Sequence, residues 1–249
     1  LILDGSLSSR TAAMRAPYAD DPSTKGIMRH TPEFLKDLVR KAYANGIRVD
    51  IHALGDHANE VVLKVFKEVD DELHPEDPRY KISHCLILGE DLIQMYKDLN
   101  IVASVQPVFG MKGQYWAPRL VGPERVQYSH AWKRLEDAGI HMASGTDSPI
   151  ETMNPLMNVY ASVTRKDPKG NPPEGWRPDQ KLSVDTAMRM VTIEGAYATG
   201  EEDIKGSIEV GKLADMVMLT DDPFEVNPDS IKDIGVLWTM VGGEIVYTK

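Results

Sequence analysis

An α/β fold built on a parallel sheet is the class this sequence predicts, and three observations predict it. Short β-branched runs alternate with amphipathic helical runs from Thr31 to Pro149. That alternation implies right-handed crossovers between parallel strands. The strand-like runs end near His52, His84, Gln106 and Asp147, each followed by turn residues. No competing architecture is encoded: Cys85 is the one cysteine in 249 residues, which excludes an internal disulfide framework and a cysteine-rich metal site. No apolar run approaches the roughly 18 residues that a transmembrane helix needs.

The elements follow in order. Thr31-Pro32-Glu33 reads as a helix start, with Thr as N-cap and Pro at the first helical position. Phe34, Leu35, Leu38, Val39, Ala42 and Tyr43 recur at helical spacing, and Asn45-Gly46 supplies the stop. The stretch IRVDIHALGDH, from Ile47 to His57, begins as a strand. Ile47, Val49 and Ile51 alternate with Arg48, Asp50 and His52, so one face is apolar against helices and the other polar. Gly55 is expected to let the chain turn sharply after His52. Ala58, Val61, Val62, Val65, Phe66 and Val69 mark a second helix.

Arg79–Leu88 reads as the next strand, Leu92, Ile93, Tyr96 and Leu99 as a third helix, and Asn100–Val108 as another strand. A Gly- and Pro-rich loop then leads to a helix from near Pro123 to Ala138-Gly139. Ile140–Pro149 is the fourth strand. Ser183 caps a helix through Met190 and Val191. Lys166–Asp179, with four prolines, reads as an exposed loop. Beyond it the pattern changes to short strands with Gly turns, and Gly242-Gly243 between two apolar runs signals a hairpin. The chain thus divides into 1–204, α/β, and 205–249, a small β-rich closing segment.

Composition bounds function. Apolar content of 42% and charged content of 27% suit a globular protein. A net charge of -10 argues against a nucleic-acid or anionic-membrane surface, which needs a basic patch. The expected partner is a small molecule. There is no signal-like start, and the sequence opens on Leu1 rather than Met, so any upstream targeting segment is invisible; the expected compartment is the cytoplasm.

In parallel α/β folds the functional groups gather at the carboxyl ends of the strands. Here those ends carry His52, His84 and Asp147, two imidazoles and a carboxylate of the kind that hold Zn²⁺ or a similar divalent ion. Each residue also has a plainer reading. Either histidine serves equally as a hydrogen-bonded structural residue, and Asp147 as the cap of the next helix. Asp56 and His57 sit in the turn beyond His52, either supporting the site or, for Asp56, capping the helix. Arg10 and Gln106 are candidates to face a substrate, with Trp116 as an apolar wall. Cys85 reads as a small buried core residue.

Six segments then occur in order: DGSLSSRTAAM (Asp4–Met14), IHALGDHA (Ile51–Ala58), ISHC (Ile82–Cys85), ASVQP (Ala103–Pro107), SGTDSPI (Ser144–Ile150) and GSIEVGKLADMVML (Gly206–Leu219). Together they resemble the amidohydrolase superfamily, specifically its amidohydrolase-3 branch of YtcJ-like metal-dependent hydrolases. The resemblance implies the C-terminal half of a distorted (β/α)8 TIM-like barrel, strands five to eight, with part of a small β-sandwich. It makes His52 the ligand ending strand five, His84 the ligand ending strand six, and Asp147 both ligand and general base. It implies one or two divalent ions, Zn²⁺ first among them. The activity it implies is hydrolysis of a C–N bond in an amide, formamide or cyclic amide, not a peptide.

One departure matters. The family's first-strand His-x-His pair is absent here, and its bridging lysine would fall immediately before Leu1. The alternative expectation is therefore a catalytically incomplete fragment, or a non-enzymatic relative. A half-barrel also exposes strand edges, which predicts a homo-oligomer.

Overall fold

A computed structural model describes residues 1–249 and divides the chain into two compact units. The first comprises 1–105 and 112–141, the second 106–111 and 142–249.

In the first unit, α1 (Pro32–Ala44) starts as its sequence predicts. Thr31 accepts from Phe34 N at 3.3 Å, Pro32 stands at the first helical position, and Asn45 closes the helix. Leu35 and Val39 are buried, whereas Phe34 and Leu38 face solvent. β1 spans only Asp50–Ala53. The expected start at Ile47 is not realised: Ile47 is exposed and Arg48 turns to Asp77 at 3.1 Å.

α2 (Asp56–Leu73) buries Ala58, Val61, Val62, Val65, Phe66 and Val69, the six residues whose spacing marked it. β2 (Lys81–His84), α3 (Glu90–Asp98) and β3 (Val102–Val105) follow. β1 pairs with β2 and β2 with β3, all parallel, with Asp50 opposite Lys81 and Ile82 opposite Ala103. This is the α/β class with a parallel sheet.

Residues 1–3 extend that sheet beside β1. Leu3 N donates to His52 O at 3.1 Å, and His52 N to Leu1 O at 2.8 Å. Asp4 is thereby delivered to the end of β1.

The region between β3 and the next strand corrects the sequence reading. Where a loop is expected, α4 (Pro107–Gly113) and α5 (Ala117–Arg125) form. Gly122, at φ 79°, breaks α5 just before Pro123, and α6 (Trp132–Asp137) replaces the single helix expected there. Gly and Pro punctuate helices here rather than abolish them, because Leu120 and Val121 are buried against Leu7, Tyr18 and Leu54.

In the second unit, β4 (Met142–Ser144) precedes α7 (Pro155–Thr164), which packs Val159 and Tyr160 with Ile231 and Ile234. The loop 166–179 is anchored rather than fully exposed. Asp167 is buried and accepts from Lys169 N at 2.8 Å and Asn171 N at 2.9 Å. α8 (Val184–Met190) has Ser183 as its N-cap, accepting from Thr186 N at 3.0 Å, and α9 (Ile193–Thr199) follows. β5 (Met216–Leu219), β6 (Val236–Val241) and β7 (Glu244–Thr248) make an antiparallel sheet in that order. Gly242 and Gly243, both at positive φ, form the hairpin turn between β6 and β7. Val217, Leu237, Ile245 and Tyr247 of this sheet are exposed.

Candidate functional site

His52 is the last residue but one of β1, and His84 is the last of β2. The register sets His52 opposite Ser83 and Ala53 opposite His84. Strict alternation would therefore send His84 to the other face of the sheet from His52. The backbone breaks that alternation at His84, whose φ is 83°, with Cys85 at 49°. The two imidazoles lie edge to face with centroids 4.6 Å apart. Non-glycine residues rarely adopt positive φ, and such conformations cluster at functional sites. On the His52 side of β1 and β2, Ser83 donates to Asp50 at 2.8 Å and Lys81 pairs with Asp50 at 3.4 Å, so the polar face of the sequence pattern is present.

The turn after β1 is built around Asp4, a fully buried carboxylate. Its oxygens accept from Ala13 N at 2.9 Å, Gly55 N at 2.9 Å and Leu54 N at 3.1 Å. Asp4 Oδ1 also lies 3.2 Å from His52 Nδ1. That nitrogen is buried and, in this ring orientation, makes no aligned hydrogen bond. In the sequence, Asp4 stands at the head of the DGSLSSRTAAM segment with no role of its own implied. The one available signal was its place directly before a glycine at the start of a Ser-rich turn, and nothing in that local pattern indicates burial.

Gly55 is needed for a reason other than turning. Its backbone is ordinary, φ -75°, but an added Cβ would stand 1.9 Å from Ala13 O. Ala13 O accepts from His57 N at 3.1 Å and Ala58 N at 3.3 Å. A carbonyl from another segment thus serves the free N–H groups at the start of α2. Gly55 is the N-cap, so Asp56 is not. Asp56 instead accepts from Arg15 N at 2.8 Å and His57 N at 2.9 Å, joining the same turn. His57 is half exposed, 3.7 Å from Glu60.

Beneath the turn, Asn59 donates to Ala53 O at 3.0 Å and Gly55 O at 2.8 Å, and receives Tyr96 Oη at 2.5 Å. Tyr96 also reaches Cys85 Sγ at 3.3 Å. Cys85 is core, as its sequence context predicts; burial pushes its thiol up to about 12, which keeps it protonated and unreactive.

The other predicted residues are placed as follows. Arg10 is held bidentately by Asp20, at 3.0 and 2.6 Å, and Arg119 joins Asp20 at 2.9 Å. Trp116 packs on the buried cluster of Leu7, Met14, Tyr18 and Leu120. Gln106 is buried ahead of α4, its carbonyl accepting from Phe109 N at 2.9 Å. Asp147 belongs to the second unit, exposed, at φ 55°. It does not cap the next helix: Asn154 caps α7, accepting from Leu156 N at 3.0 Å. The strand-end histidine pair is what the structure brings together. No group of three or more His, Cys, Asp or Glu is gathered to hold a metal ion. Two imidazoles fit a borderline divalent ion in donor type and fall short of a full shell in number.

Comparison with known proteins adds four findings. The family model described as Amidohydrolase family matches residues 1–247. The Bacillus subtilis (strain 168) protein YtcJ, which carries an amidohydrolase name, is 34% identical over 251 residues, covering all of this chain and 46% of its own length. An N-substituted formamide deformylase from Arthrobacter pascens is 30% identical over 215 residues, 86% of this chain and 39% of its own. Among solved structures, an uncharacterised metal-dependent hydrolase from Pyrococcus horikoshii OT3 aligns with a TM-score of 0.81 at 33% identity, over 91% of this chain and 45% of that one. The chain therefore spans under half the length of these relatives. No helix is long and apolar enough to cross a membrane.

Proposed function

Because the chain belongs to the amidohydrolase family, we propose that it supplies part of the active site of a metal-dependent hydrolase acting on a C–N bond. The observation that carries this reading is the His52–His84 pair, two imidazoles 4.6 Å apart at the ends of adjacent parallel strands, one of them on left-handed backbone. His52, His84 and Asp147 are the proposed holders of one or two divalent ions, Zn²⁺ first among them. Such an ion, when bound, acts as a Lewis acid and lowers the pKa of water toward about 7.

The chain's own residues then do the rest. Asp147, exposed and acceptor-only when ionised, takes a proton from the attacking water and returns it to the leaving nitrogen. His57, half exposed at the first turn of α2, and Gln106 are proposed as substrate-side groups. Arg10, Asp56 and Trp116 are held by Asp20, Arg15 and the Leu7 cluster and support the surroundings. An amide, formamide or cyclic amide is the proposed substrate class, the formamide option drawing on the Arthrobacter relative. A TIM-like half-barrel over 1–204 and sandwich strands over 205–249 complete this proposal.

A second reading has its own observation. With no three-residue metal group gathered, the chain by itself is an incomplete centre and inert alone. The exposed apolar sheet of β5, β6 and β7 then favours association, including a homo-oligomer. The test is Asp147→Asn in the complete protein that contains this chain, with turnover of an N-substituted formamide and bound divalent metal both measured. The expected result is an intact fold, retained metal and turnover lowered at least about 10³-fold. Turnover at the wild-type level removes Asp147 from the mechanism.

A further inference from the structure

We propose that Asp4 is a positioning residue for His52. Its buried carboxylate holds the imidazole in the tautomer with hydrogen on Nδ1 and leaves Nε2 as the lone-pair donor. The inference rests on the metal-site reading above for its purpose, though not for its geometry.

Three observations meet at this point. Asp4 is 0% exposed, and a buried carboxylate is held only where donors surround it. Three of those donors are backbone N–H groups, of Ala13, Leu54 and Gly55, which come from two chain segments and fix the carboxylate in place. His52 Nδ1 is a buried polar atom with no aligned partner, and Asp4 Oδ1 stands 3.2 Å from it. Buried N–H groups are almost always paired. The carboxylate is acceptor-only, so it pairs with a protonated Nδ1 and opposes a bare one.

The brace is also anchored upstream. His52 N donates to Leu1 O at 2.8 Å, and Leu3 N to His52 O at 3.1 Å. The strand bearing His52 and the carboxylate that faces its ring are therefore fastened together at both ends. Orientation of an imidazole by a second group at its other nitrogen typically changes metal affinity 10–100-fold.

The experiment reads the tautomer directly. Long-range ¹H–¹⁵N spectra of the metal-free, histidine-labelled full chain, at a pH where His52 is neutral, distinguish Nδ1–H from Nε2–H. A His52→Gln variant assigns the resonance. Neutral imidazole in water favours Nε2–H, so Nδ1–H in the wild type is the diagnostic result. Asp4→Asn is expected to move His52 toward Nε2–H and to weaken Co²⁺ binding by about 10–100-fold. An Nε2–H His52 in the wild type overturns the proposal and leaves Asp4 as a brace of the turn alone. That arm needs no variant to fold. Nδ1–H His52 in a complete wild-type protein that binds no Co²⁺ upholds the positioning role and overturns the metal-site reading, so the two failures are distinct.

Discussion

Two of the strand ends that carry predicted site residues, those after β1 and β4, are held in different ways. After β1, the turn 53–57 is organised from inside. Asp4 gathers three backbone donors, Ala13 O meets the start of α2, and Asn59 ties Ala53 and Gly55 to Tyr96. After β4, Gly145 O is held by one side chain of α7: Asn158, buried, donates to it at 2.9 Å and accepts from Val108 N at 3.1 Å. The residues that follow, from Asp147 to Ile150, are exposed, with Ile150 N returning to Asp147 O at 2.8 Å. On the proposed function, the first turn holds the metal ligand His52 still and the second leaves the proton carrier Asp147 open to water.

That contrast can be broken by substitution. Gly55→Ala is expected to have the largest effect, about 3 kcal/mol or more, because the Cβ collides with a backbone carbonyl that has no room to retreat. Thermal unfolding measures it, and wild-type stability in the Gly55→Ala variant would show that the first turn is less rigid than the second. Asn158→Ala comes next, at about 2 kcal/mol, since Val108 N and Gly145 O lose a buried partner. If it costs as much as the glycine substitution, the two turns are braced equally and the contrast fails.

The smallest effect sharpens the picture at the rim of the first turn. Lys64 at 2.7 Å and Arg15 at 3.0 Å hold the Glu60 carboxyl down to about 2. A depressed folded value means that this stabilisation is present above the unfolded value of about 4.5 and is lost as pH falls toward 2. Glu60→Gln should flatten that part of the stability-against-pH curve by under about 1 kcal/mol, because the group is partly solvated. An unchanged curve in that window would mean that the ion pairs contribute nothing measurable.

Much of this was legible in the residues themselves. Thr31-Pro32 and Ser183 announce their helices because a capping side chain acts within three residues of its own position. The six apolar positions of α2 are buried as their period requires, and Gly242-Gly243 makes its turn because only local φ is involved. His52 and His84 could be named as a pair because each ends a strand. Helices α4 and α5 escaped, since their Gly and Pro content reads as loop and the burial that stabilises them comes from afar in sequence: Val108 and Met111 of α4 cluster with Leu156 and Tyr160, and Leu120 and Val121 of α5 with Leu7 and Tyr18.

The sequence by itself determined the α/β order, the caps and the periodic core, all of which depend on neighbours a few positions apart. Only the tertiary structure decided that β1 is four residues long, that Gly55 is required by Ala13 O and that Asp147 caps nothing. It likewise decided that Asp4 is buried against the turn it serves. Each of these depends on which distant backbone group arrives beside a residue. That is settled by pairing of residues 1–3 with β1 and by packing, not by any local pattern.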